Sequence, residues 1–223
     1  MYFITKRLFD IFSSLVAIIV LTPLLLPIIL MLRFTSEGEI FYIQKRIGLN
    51  NKPFGIIKFA TMLKNSSKMD GGYITVKNDP RLTFMGGFLR KSKINELPQL
   101  INVFLGQMSV IGPRPVMPQS FTSYPANVQK TIYNVKPGLS GIGSIIFRDE
   151  EQIITDVKNK GDDIWDFYKN KIYPFKGKLE IWYQKNKSFT MDIKLIFLTI
   201  WVIIFPKSNL YNIWFKDLPN RGF

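Results

Sequence analysis

Residues 86–115 read GGFLRKSKINELPQLINVFLGQMSVIGPRP. Leu97, Leu100, Ile101 and Phe104 recur at the spacing of one helix face. Asn95 stands just before that run as an N-cap residue, and Gly106 follows it as a C-terminal stop. Pro98 falls in the first turn, where its missing N–H costs little. On this reading Glu96 sits at a helix N-terminus, where free N–H groups and the backbone dipole favour anions. Arg90, Lys91 and Lys93 precede it, and Arg114 follows after the return. A carboxylate ringed by cations suits a magnesium–phosphate ligand, although an Asn-Glu pair also begins many ordinary helices.

The composition narrows the chemistry. The chain has 223 residues, which fits one domain with a membrane attachment or two small lobes. It carries a net charge of +14, so its partners are nucleic acid, anionic lipid or phosphate-rich substrates. There is no Cys, which excludes disulfides and thiolate catalysis, and no His, which removes the commonest general base and zinc ligand. Catalysis here must run on carboxylates, Lys, Arg, hydroxyls or a metal ion held by oxygen.

Working outward towards the N-terminus, Ile11 to Leu32 is an uncharged run of 22 residues, long enough to span a bilayer as a helix. Pro23 and Pro27 each remove a helix hydrogen bond, which predicts a break at Thr22-Pro23. Lys6 and Arg7 flank one end, and Arg33, Lys45 and Arg46 the other. Basic flanks prefer the cytoplasmic side, so both ends ask for the same face, which a re-entrant helix-break-helix satisfies. A plain transmembrane anchor with tolerated prolines is the competing reading. Alternating runs at 40–43 and 54–59, with turn residues from Gly48 to Pro53, predict a β-hairpin. Residues 64–80, with Gly71-Gly72, read as a surface loop closed by Asn78-Asp79-Pro80-Arg81, in which Arg81 is either functional or a solvated end.

Towards the C-terminus, a helix is expected near Ala126–Tyr133. The loop from Lys136 to Gly141 combines two glycines with the Ser140 hydroxyl, a composition that lets backbone approach a phosphate. Residues 151–187 mix lysines with Trp165, Phe167, Tyr168, Tyr173, Trp182 and Tyr183, as a core or as an interfacial belt. The apolar run Ile193–Phe205 is too short to span.

Taken together these stretches resemble the bacterial sugar transferases, the small monotopic phosphoglycosyl transferases. The resemblance rests on Leu89-Arg90-Lys91, Glu96-Leu97-Pro98-Gln99, Asn102, Met108-Ser109 and Gly112-Pro113-Arg114-Pro115. Gln44 to Gly48, Lys58 to Met62, Asn78 to Arg81, Lys136 to Gly141, Arg148 and Asp192 extend it from Lys6 to Phe205. Asn95 and Gln107 depart from it, each standing where the family usually has Asp, and Ala60 replaces an Arg. At the membrane bend Thr22-Pro23 replaces the family's Ser-Pro.

The resemblance implies an α/β fold, mostly α with a small hairpin. Residues 1–35 would be the re-entrant membrane helix and residues 36–223 a cytoplasmic, interfacial catalytic domain. It implies transfer of a sugar-1-phosphate from a UDP-sugar to polyprenyl (undecaprenyl) phosphate, releasing UMP. That reaction starts capsule, exopolysaccharide, O-antigen or glycoprotein assembly on the cytoplasmic face of the bacterial inner membrane, among its lipids. Mg2+ is the implied cofactor, with Glu96 and Asn95 at the metal. Asn95, Glu96, Lys58 and Arg90 occupy the catalytic positions, and Arg81, Arg114, Arg148, Ser140 and Gly141 the substrate-binding ones. A homodimer is among the assemblies it allows. The family route uses the Asp at position 95 as nucleophile, so a catalytically silent scaffold or binding protein is the alternative. Nucleic-acid binding is set aside, because no recognition motif accompanies the charge.

Overall fold

A computed structural model describes residues 1–35, 37–69 and 79–223. The glycine pair at 71–72 and Asn78 lie outside the described residues.

One long helix, α1 (Tyr2–Thr35), runs from the second residue through both prolines without interruption. Where a helix-break-helix is expected, the backbone stays helical throughout, short of the two hydrogen bonds that Pro23 and Pro27 cannot donate. Thr22 Oγ1 donates to Ile18 O at 2.7 Å, whereas the carbonyl that Pro23 leaves without its donor belongs to Ile19. The hydroxyl thus reinforces the turn before the proline and does not replace the lost bond. At 34 residues α1 is about 50 Å long. Phe12, Leu15, Val16, Ile19, Val20, Leu24, Leu26 and Leu30 are exposed along it, and it is long and apolar enough to cross a membrane.

Both ends of α1 nevertheless pack on the rest of the chain. Lys6, Asp10 and Ser14 are buried at one end. At the other, Leu32 joins Phe59 and Leu89 in a small core lined by Leu25, Ile28 and Ile29.

The hairpin forms as expected from β1 (Phe41–Ile47) and β2 (Pro53–Phe59), paired antiparallel with Tyr42 opposite Lys58. Its turn places Asn50 and Asn51 at positive φ, a conformation asparagine tolerates. Next come α2 (Gly86–Lys91), a 3-10 turn at Ile94–Glu96 and α3 (Gln99–Phe104). The expected N-cap at Asn95 is corrected here: α3 begins after Pro98 and spans only 6 residues. Proline fixes φ and offers no N–H, so the start moves there, and Glu96 lies in the preceding 3-10 turn rather than on a helix dipole. Gly106 ends the segment at φ +81, as expected.

A parallel strand pair, which local pattern did not reveal, joins β3 (Ser109–Ile111) to β4 (Gly138–Ser140). A Cβ on Gly138 would lie 2.1 Å from Gly112 N, and one on Gly141 2.2 Å from Gly112 O. These glycines are thus required by backbone packing within the protein. The chain continues through α4 (Pro118–Thr122), α5 (Ala126–Thr131), α6 (Ile142–Ile146), α7 (Glu150–Asn159), α8 (Ile164–Phe167), α9 (Tyr173–Asn186), α10 (Phe189–Ile204) and α11 (Leu210–Trp214). The main core gathers Ile111, Ile142, Ile145, Leu179, Tyr183, Leu195 and Leu198. Tyr173, Trp182 and Tyr183 are buried and Phe167 and Tyr168 pack half-buried against the main core, while Trp165 is exposed, so the aromatic stretch is core rather than a belt except at Trp165. α10 is N-capped by Ser188 Oγ, which accepts the Met191 N–H at 3.1 Å. Its Leu195, Leu198 and Val202 face the core, while Ile193, Phe197, Ile200 and Ile204 face out.

Candidate active site

Glu96 is the centre of the cluster. Its Oε1 accepts Arg114 Nη2 at 2.6 Å and Lys58 Nζ at 3.2 Å, and its Oε2 accepts Arg114 Nη1 at 3.3 Å. Three separate segments supply these groups: the turn before α3, the end of β2 and the loop after β3. Burial pushes the Glu96 carboxyl up, but the charges of Arg114 and Lys58 outweigh it and hold the group well below its ordinary range. Burial pushes Lys58 down to about 8, against the attraction of Glu96. Arg46 is lowered to about 10, first by burial and then by the Arg114 charge. Arg90 is lowered by burial, while Asp79, Glu151 and Glu96 pull it back. One carboxylate thus faces an excess of cations in a partly dry site, an arrangement that attracts phosphate groups.

Hidden polar groups hold these elements together. Tyr133 Oη accepts the Val116 N–H at 3.0 Å and donates to Arg114 O at 2.9 Å, so it braces the Arg114 loop from below. Arg46 donates twice to Gln44 Oε1 and once to Pro115 O at 3.4 Å. Asn102 Oδ1 accepts the Ile57 N–H at 2.9 Å, and its Nδ2 donates to Gly55 O at 2.8 Å and Gln107 Oε1 at 2.7 Å. Asn102 therefore staples α3 to the strand that carries Lys58. Gln107 Oε1 is thus an acceptor for Asn102, a role a carboxylate oxygen could also fill. No local signal singled out Tyr133; its role depends on a contact made across the fold.

The remaining sequence candidates are placed as follows. Asn95 is buried, and its Oδ1 has no hydrogen-bond partner among the described residues. Arg81 is buried rather than solvated: its Nε and Nη2 donate to Asp79 at 2.8 and 2.6 Å. Ser140 Oγ pairs with Thr199 Oγ1 at 2.8 Å, beside Gly141 on the Gly112 backbone. Arg148 does not join the Glu96 cluster. Its Nη2 donates to Ser208 O at 3.0 Å, and its guanidinium lies 5.7 Å from the Tyr211 ring.

The donor set can be tested against magnesium. Among the described residues no three Asp or Glu side chains come together. Mg2+ commonly takes one or two protein oxygens and fills its shell with water and substrate phosphate. Asn95 Oδ1, buried without a partner among the described residues, suits that sparse role, and the Glu96 carboxylate suits it where a metal shares its oxygens with Arg114 and Lys58.

The family model for the bacterial sugar transferases matches residues 1–206. The chain belongs to the bacterial sugar transferase family. It is 34% identical to a UDP-glucose:undecaprenyl-phosphate glucose-1-phosphate transferase of Klebsiella pneumoniae, over 91% of this chain and 41% of that protein. It is 33% identical to an undecaprenyl-phosphate glucose phosphotransferase of Komagataeibacter xylinus, over 91% of this chain and 36% of that one. It is 30% identical to the exopolysaccharide production protein ExoY of Sinorhizobium fredii, over 92% of this chain and 88% of the relative. The chain thus spans less than half the length of two of these relatives and most of the third.

Proposed function

We propose that this chain transfers a sugar-1-phosphate from a UDP-sugar to undecaprenyl phosphate, on the cytoplasmic face of the bacterial inner membrane. The carrying observation is the Glu96–Arg114–Lys58 cluster, built from three separate segments of a chain that belongs to the sugar transferase family. Arg114 is 43% exposed at its side chain, so an incoming diphosphate can reach it while Lys58 waits beneath. Lys58, Arg90 and Arg114 bind the diphosphate and stabilise the charge that gathers on its oxygens during transfer. Glu96 and Asn95 Oδ1 are the oxygens that would hold a magnesium ion, which supplies charge neutralisation at the diphosphate.

Asn95 carries a neutral amide, and Glu96 has both oxygens engaged by cations and little proton affinity, so neither is a good nucleophile towards phosphorus. We therefore favour direct displacement. An oxygen of the lipid phosphate attacks the β-phosphorus of the UDP-sugar, and the bond to the bridging oxygen breaks, releasing UMP. A re-entrant path needs a bend within α1, and Pro23 and Pro27, which each remove a helix hydrogen bond, are where it would lie; the packing of both helix ends on the rest of the chain supports that reading.

The neutral Asn95 motivates a second reading, a family member that binds but does not turn over. Mass spectrometry after incubation with UDP-sugar, Mg2+ and undecaprenyl phosphate tests both. Lipid product without a protein adduct supports direct transfer. Product and adduct arising only in Asn95→Asp supports the silent reading.

A further inference from the structure

The charged residues at the start of α1 are not surface cations awaiting lipid. Arg7 Nη1 and Nη2 donate to Val103 O and Phe104 O, both at 2.7 Å, and so cap the last carbonyls of α3. One turn on, Asp10 Oδ1 accepts the Ser109 hydroxyl at 3.0 Å and the Val110 N–H at 2.9 Å. Val110 lies between Ser109 and Ile111, the two residues of β3 that pair with β4, so its N–H faces the helix and not the neighbouring strand. Lys6 Nζ donates to Ile111 O at 2.8 Å and to Asp192 on α10 at 2.6 Å. All three side chains act within two turns of α1.

The elements they grip carry the two halves of the central ion pair. α3 begins just after Glu96, and β3 ends just before Arg114. We propose that Arg7 and Asp10 are positioning residues: the start of the membrane helix sets α3 against β3 and thereby fixes the Glu96–Arg114 pair. The helix is then part of the site's framework as well as an anchor. This rests on the functional reading above only for its kinetic consequence.

The test uses the full chain in detergent and in membranes, with Asp10→Ala, which removes both hydrogen bonds, and Asp10→Asn, which retains an acceptor oxygen. The expected result for Asp10→Ala is a rise of about tenfold in the KM for the UDP-sugar. Membrane retention and the KM for undecaprenyl phosphate should stay as in the wild type, and Asp10→Asn should recover most of the loss. A second readout needs no turnover. Glu96→Gln, Arg114→Gln and the double variant are melted in the wild-type and Asp10→Ala backgrounds. The non-additivity between positions 96 and 114 should be present in the first and absent in the second. An unchanged donor KM in an active, folded Asp10→Ala, or equal non-additivity in both backgrounds, overturns the proposal. If the wild type turns over no donor the functional reading fails, and the melting cycle alone decides this one.

Discussion

Arg114→Ala separates the site's stability from its chemistry. In the folded protein the guanidinium makes one short bond to Glu96 at 2.6 Å and one long bond at 3.3 Å. A hydrogen bond to a charged group contributes about 1.5–3 kcal/mol, and the long one adds little. Because the Arg114 side chain is 43% exposed, solvent screening reduces this to about 1–2 kcal/mol of stability. For a chain of this size that is a fall in melting temperature of about 3–6 °C. Glu96 keeps Lys58 as a partner, so the fold should survive. On the proposed reading the functional loss should be larger, because Arg114 would meet the charge that develops during transfer. Removing one such donor costs about 100-fold or more in kcat/KM. The pH dependence has a definite sign. Glu96 is held below its ordinary value of 4.5, so its stabilisation is present above that pH and is lost as pH falls towards the folded value. Arg114→Ala should shrink that acid-side loss. The assay is donor turnover in nanodiscs beside thermal melts from pH 3 to 7. A kcat/KM that falls less than about threefold, or only in step with the folded fraction, would refute the assignment of Arg114 to the donor phosphates.

Lys58 should make donor binding pH-dependent. Its charge is lost near pH 8, so the KM for the UDP-sugar should rise above that pH in the wild type, and the rise should be absent in Lys58→Met. Asn102→Ala should destabilise the protein by about 1–2 kcal/mol, because it leaves the half-buried Ile57 N–H and Gly55 C=O without their partner; chemical denaturation measures this. For topology, cysteines replacing Ile4 and Glu39 in this cysteine-free chain should both resist an impermeant thiol reagent on intact spheroplasts. Labelling at one site alone would mean a straight span.

The sequence features that proved legible are those set by neighbouring residues. The apolar run of α1, the hairpin with its Gly48–Pro53 turn and the stop at Gly106 each follow from local composition. Even there, Pro98 overruled Asn95 at the start of α3, because a fixed φ outweighs a capping side chain. What stayed hidden depends on contacts between distant segments. β3 and β4 are three residues each, too short to show alternation, and are paired across a long stretch of chain. Tyr133 reads as one more core aromatic until its hydroxyl is seen against the Arg114 loop. Lys6 and Arg7 read as topology signals by the charge rule, whereas the fold spends both on internal bonds. Gln107 reads as a lost acid, yet its oxygen still meets Asn102.

Transfer of label tests the central claim most directly. The purified chain in nanodiscs is incubated with Mg2+, undecaprenyl phosphate and a panel of UDP-sugars carrying radioactive phosphorus at the β position. For at least one donor, label should move into the lipid extract with an equal amount of UMP released and none retained on the protein. Label that remains in the nucleotide sugar for every donor, in a protein shown by its melt to be folded, would contradict it.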